Sequence, residues 1–83
     1  MNITVKTGGL LGKYLPPGGN GKQAELEVAE GATPIDVLRQ LGMPLEKSYL
    51  VSLNGTALPK AERESRSLEA GDTLAIMPPL KGG

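Results

Sequence analysis

Cysteine and histidine are both missing from the 83 residues. Without Cys there is no disulfide, thiolate nucleophile, iron–sulfur ligation or Cys-type zinc site. Without His the commonest general base and metal ligand is gone, and with it any Ser-His or Cys-His arrangement. Phe and Trp are also absent, and the two remaining aromatics, Tyr14 and Tyr49, are too few for a base-stacking platform. Nine Lys and Arg balance nine Asp and Glu, which leaves no field of one sign to draw nucleic acid or an anionic membrane to the surface. The carboxylates are scattered Glu with Asp36 and Asp72, and no spacing among them suggests a paired acid and base. No apolar run approaches membrane-spanning length. Met1-Asn2-Ile3-Thr4-Val5 has neither the basic start nor the apolar stretch of a signal peptide. These absences predict a cytoplasmic chain that meets neither nucleic acid nor membrane, binds no metal or cofactor, and is not itself an enzyme.

What is present is a regular alternation of short elements. Asn2 to Thr7 alternates polar residues with Ile3 and Val5, the period of a half-buried strand. Gly8 to Lys22 is rich in Gly and Pro and reads as a wide surface loop, with Leu10, Leu11, Tyr14 and Leu15 folding back on the body as a short helical turn. A phosphate-binding loop is excluded there, because Thr7 and Pro16 stand where the first glycine is required and Tyr14 and Gln23 where Ser or Thr is required. Gln23 to Val28 alternates again and reads as a second strand, antiparallel to the first. Thr33, Pro34 and Asp36 form an N-cap, a first-turn proline and a capping box, so a helix runs from Thr33 to Leu41. Ile35, Val37, Leu38 and Leu41 make its buried stripe, and Gly42 with Pro44 ends it. Tyr49 to Leu53 is a third strand, Asn54-Gly55 a hairpin turn, and Thr56 to Leu58 a short return strand. Pro59 to Leu68 is a charged connection with room for one helical turn, Glu69-Ala70-Gly71-Asp72 a turn, and Thr73 to Met77 the last strand.

The sequence closes on Met77-Pro78-Pro79-Leu80-Lys81-Gly82-Gly83. The proline pair fixes φ and cannot donate to a ladder, so the strand stops and an extended stalk begins. Residues 78–83 reach about 20 Å when extended, at roughly 3.3 Å per residue. Gly82 and Gly83 have no side chain to bury, thread a narrow channel easily and leave the last carbonyl unshielded. The organisation expected is therefore one domain over residues 1–77 and a tail over residues 78–83. The order strand, strand, helix, strand, short strand, strand fits a mixed sheet with one main helix packed across it, the first and last strands parallel at its centre. That is an α+β, β-grasp (ubiquitin-like) arrangement. Its expected core is Ile3, Val5, Leu26, Leu38, Leu41, Val51, Leu53, Leu74 and Ile76.

The run Val51-Ser52-Leu53-Asn54-Gly55 and the stretch from Leu68 to Gly83, read as LEAGDTLAIMPPLKGG, resemble the MoaD/ThiS family of ubiquitin-like sulfur carrier proteins. The Pro-Pro-x-x-Gly-Gly ending is more similar to the molybdopterin synthase small subunit than to the thiamine branch. The resemblance extends over nearly the whole chain, including Leu10 to Pro17 and Glu30-Gly31-Ala32-Thr33. It implies that an E1-like adenylating enzyme, using ATP, activates the carboxylate of Gly83, and that a sulfur donor converts it to a thiocarboxylate. Gly82 would give clearance, while Met77, Pro78, Pro79, Leu80 and Lys81 would contact the partner and position the stalk. The sulfur would pass to a large synthase subunit or another sulfur-accepting enzyme, in molybdenum or tungsten pterin cofactor biosynthesis. The alternatives are a protein modifier conjugated through Gly83, a thiamine-type carrier, and a plain β-grasp interaction module.

Overall fold

Thr33 and Asp36 start the main α-helix by capping each other. The Asp36 N–H donates to Thr33 Oγ1 at 3.3 Å and the Thr33 N–H donates to Asp36 Oδ2 at 3.0 Å, which satisfies two donors that a helix start leaves without partners. In the computed structural model, which describes residues 1–16, 22–45 and 49–78, this helix α1 spans Pro34–Leu41 and closes on Gly42 at φ 78°. Only a residue without Cβ takes that left-handed cap at no steric cost. Eight residues are too few for a helix to stand alone in water. Its stability comes from Pro34, Val37 and Leu38, which are buried, and from Ile35 and Leu41, which are half-buried against the core.

The sheet they cover has five strands: β1 (Asn2–Thr7), β2 (Gln23–Glu27), β3 (Leu50–Leu53), β4 (Thr56–Ala57) and β5 (Thr73–Met77). Their spatial order is β2-β1-β5-β3-β4. β1 and β5 are parallel, with Val5 beside Leu74 and Thr7 beside Ile76; the remaining pairs are antiparallel. This is the expected β-grasp-like arrangement, a mixed sheet with one main helix. The pairing also runs past the strand limits: Val28 donates to Met1 O at 2.8 Å and Leu58 to Val51 O at 2.9 Å.

Ile3, Val5, Leu38, Val51, Leu53, Leu74 and Ile76 are buried as expected. Leu26 and Leu41 are only half-buried, because β2 is an edge strand and Leu41 sits in the last helical turn, so each has protein on one side. Met43, Tyr49, Leu58 and Leu68 complete the core from the connections, and the Leu68 N–H donates to Ala32 O at 2.8 Å beneath the helix start. One polar residue joins them. Thr7 is buried, and its Oγ1 has no hydrogen-bond partner among the described residues.

Among the described residues two 3-10 helices fill connections, at Gly9–Tyr14 and Lys60–Arg63. The first corrects one expectation: Leu11, Tyr14 and Leu15 pack against the core, but Leu10 is 86% exposed. At three residues per turn, positions 11 and 14 share the inner side and position 10 is carried to the outer one. Asn20-Gly21 and the rest of residues 17–21 lie outside the described residues. Among the described residues no helix is long and apolar enough to cross a membrane.

Candidate docking face and tail base

β5 places its side chains alternately on the two faces of the sheet, and this decides what the base of the tail presents. Leu74 and Ile76 point into the core at 0% exposure, so Thr73, Ala75 and Met77 point outward. The register puts Leu50 of β3 beside Met77, and Ser52 between Ala75 and Ala57. Leu50 and Met77 are 46% and 37% exposed. With Ser52, Ala57, Leu58 and Arg63 they line a shallow, mostly apolar hollow of about 280 Å³. Arg63 is held at its rim, where the guanidinium donates to Leu58 O from Nε at 3.3 Å and from Nη2 at 3.2 Å. The opposite end of the same face is charged: Lys6 lies next to Ala75, and Thr4 Oγ1 donates to Glu25 Oε2 at 2.8 Å. The open face thus grades from polar on β1 and β2 to apolar on β3 and β5, where the chain leaves the sheet.

At that exit the chain lies against two glycines. Gly8 extends the parallel ladder by one residue, its N–H donating to Ile76 O at 3.3 Å. A Cβ at Gly8 would sit 2.6 Å from Met77 Sδ, and one at Gly9 would sit 3.0 Å from Pro78 Cγ. Gly9 also has φ +56°, a left-handed conformation that side chains disfavour. The Met77 thioether and the Pro78 ring therefore rest on bare backbone.

Of the expected site residues, Met77 and Pro78 are exposed and adjacent at the end of β5. Pro79, Leu80, Lys81, Gly82 and Gly83 lie outside the described residues. Sequence reasoning missed four contributors. Leu50 was legible, because it is an apolar residue on the outward phase of an alternating strand. Gly8 and Gly9 gave only the weak signal of a glycine pair closing a strand, and nothing in the sequence links Arg63 to the hollow. Among the described residues no group of three or more Asp and Glu is placed to hold a metal ion.

Comparison with known proteins agrees with this geometry. A family model described as the ThiS family matches residues 18–83, the last glycines included. Among curated proteins none matches the sequence. Among solved structures, the fold is similar to that of SAMP1 from Haloferax volcanii, with a TM-score of 0.69, 24% identity and 100% of both chains covered. It is similar to the Haloferax volcanii HVO 2177 protein, with a TM-score of 0.79 and 21% identity over 100% of this chain and 87% of that one. It is also similar to a chain of the complex of subunits 1 and 2 of the molybdopterin-converting factor from Helicobacter pylori, with a TM-score of 0.61, 15% identity and 100% of both chains covered. At these identities the likeness is one of fold.

Proposed function

The chain belongs to the ThiS family, and from that membership we propose that it is a sulfur carrier whose Gly83 carboxylate is activated by an E1-like enzyme and loaded with sulfur. Members of the family are small carrier proteins, not enzymes, and bind no cofactor themselves. The observation that carries the reading is the family match running through Gly82 and Gly83, on a chain whose β5 leads out at Met77 and Pro78 beside an exposed apolar face.

A carboxylate is a poor electrophile at neutral pH. In the proposed sequence a Gly83 carboxylate oxygen attacks the α-phosphorus of ATP held by the partner, pyrophosphate leaves, and an acyl-adenylate results. A sulfur nucleophile at the hydrosulfide level then attacks the carbonyl carbon, the C–O bond to AMP breaks, and a thiocarboxylate remains after loss of a proton. Gly82 and Gly83 let the reacting carbonyl enter the partner without Cβ atoms in the way. Pro78 and Pro79 limit the conformations the stalk must lose on binding. Leu80 and Lys81 complete the contacts ahead of the glycines. Met77 with Leu50 supplies an apolar anchor, a role that suits a flexible thioether. The chain has no thiol of its own to capture the activated carbonyl.

The proposed destination of the sulfur is a molybdenum or tungsten pterin, with a large synthase subunit as acceptor. The Pro-Pro-x-x-Gly-Gly ending supports this, as does the fold shared with a chain of the two-subunit molybdopterin-converting factor. The same activated carboxylate serves a modifier if a lysine amine replaces sulfur as nucleophile. Mass spectrometry of the protein isolated from cells that make its partners separates the readings. A carrier contains a fraction with one oxygen exchanged for sulfur at Gly83, which alkylating reagents label although no Cys is present. A modifier appears as larger conjugates with a Gly-Gly remnant on lysine. A chain that shows neither, even with the adenylating enzyme, ATP and a sulfur donor supplied, is an interaction module, and the proposal fails.

A further inference from the structure

We infer that Gly8 and Gly9 are positioning residues for the tail: Gly8 sets the orientation of the Met77 side chain on the open face, and Gly9 sets the direction in which the chain departs at Pro78. The inference deepens the carrier reading above and rests on it.

The geometry separates the two roles. Gly8 has φ −121° and ψ 167°, an extended conformation open to any residue, so its own backbone gives no reason for glycine. The reason is the neighbour. A Cβ there would lie 2.6 Å from Met77 Sδ, closer than two such atoms approach, and 3.6 Å from Pro78 Cδ. The Met77 backbone is fixed by its place in β5 opposite Leu50, so only the thioether can yield, and it would swing off the seat it shares with the hollow. Gly9 has a backbone reason in its φ of +56°, and a packing reason in Pro78 Cγ at 3.0 Å from a Cβ. Unlike a thioether, a proline ring cannot rotate away. A side chain at position 9 therefore moves the Pro78 ring as a whole, and with it the first bond of the stalk.

The pair is held to the strand it serves. The Gly8 N–H donates to Ile76 O at 3.3 Å, and Gly8 O accepts from the Leu11 N–H at 3.1 Å, at the start of the first 3-10 helix. The seat thus moves as one piece with β5, and a tail leaving it starts from a fixed origin. That matters for a proposed reaction in which the Gly83 carboxylate must meet a phosphorus atom held by the partner. A shift of the Pro78 ring changes where the chain starts its approach, and about 1 Å of misplacement at the reacting atoms can cost a hundredfold in rate.

The test is steady-state adenylation of the full chain by its E1-like enzyme, with the carrier as varied substrate, on wild type, Gly8→Ala, Gly9→Asn, Met77→Ala and the Gly8→Ala/Met77→Ala double variant. Asn is chosen at position 9 because it tolerates the left-handed conformation yet carries a Cβ. Gly8→Ala is expected to raise KM about tenfold with kcat little changed, as for loss of a contact worth about 1.4 kcal/mol. In the double variant Gly8→Ala is expected to add nothing to Met77→Ala, because the thioether it displaces is gone. Gly9→Asn is expected to lower kcat about ten- to a hundredfold with KM little changed. Thermal unfolding of each variant and the Met77 methyl NMR shift are read alongside. Variants with wild-type kinetics, or losses that merely follow the melting temperature, overturn the inference and leave the carrier reading standing. Wild-type protein that forms no adenylate overturns both.

Discussion

Thr7 and Met77 sit one residue apart in register on neighbouring central strands, and each occupies the face that its chemistry suits less well. Thr7 is 6% exposed, beside Ile76 in the ladder, and its hydroxyl has no hydrogen-bond partner among the described residues. A buried hydroxyl left without a partner costs about 1–3 kcal/mol of desolvation. Val has nearly the same shape without the polar atom, so Thr7→Val is expected to raise stability by about 1 kcal/mol in urea denaturation. A drop of that size would instead reveal a hydrogen bond to the hydroxyl. Met77 is the inverse case, an apolar side chain 37% exposed. Met77→Asp is expected to leave the urea midpoint almost unchanged and to weaken binding to the activating enzyme by about 2–4 kcal/mol, since a charge would have to be stripped of water at the interface. Calorimetric titration with unaltered affinity would place the contact elsewhere, with the outward-facing Leu10 of the Leu10 to Leu15 segment the next apolar candidate.

Each element carries its own start and stop, but β5 is also fastened from outside at both ends. At its end stand Gly8 and Gly9. At its start Asn54, left-handed at φ 51°, accepts the Thr73 N–H at 2.8 Å and donates to Asp72 Oδ1 at 3.0 Å, while Asp72 Oδ2 accepts the Glu69 N–H at 2.8 Å. Asn54→Gly keeps the backbone conformation and removes only this clasp, so it is expected to cost about 1 kcal/mol, in line with exposed hydrogen bonds. Thermal unfolding without change would mean that water replaces the clasp at no loss. The contrast shows what the sequence discloses. Asn54-Gly55 announces a hairpin turn by local backbone preference, and Thr33-Pro34-x-Asp36 announces a helix start in the same way. That the Asn54 side chain reaches across to β5 depends on a contact eighteen and nineteen residues away, which no local pattern encodes. The glycine seat was hidden for the same reason, and Leu10 was misplaced because a 3-10 turn counts three residues where an α-helix counts 3.6.

For the whole molecule, the proposed function would divide the work between the sheet and helix on one side and the last residues on the other. Gly82 and Gly83 have no side chains to contribute to the core, so deleting both is expected to leave the melting temperature within about 2 °C, a shift that corresponds to well under 1 kcal/mol in a domain of this size. Adenylate formation is expected to vanish, and a truncated chain adenylated at the normal rate would show that chemistry does not pass through Gly83. The order of the strands has a further consequence, in time instead of space. β5 is the last of the five strands in the chain, yet it lies between β1 and β3, and four of the sheet's backbone partnerships with β1 depend on it. β1 and β2 can form a hairpin early during synthesis, but β3 and β4 have nothing to join to it until residues 73–77 leave the ribosome. Such non-local pairing closes late. Gly82 and Gly83 follow β5 in sequence, so they emerge only after the strand that completes the sheet. Chains arrested before β5 lack both the central strand and the terminal glycines, so under the proposed function an activating enzyme that needs both would encounter only finished molecules.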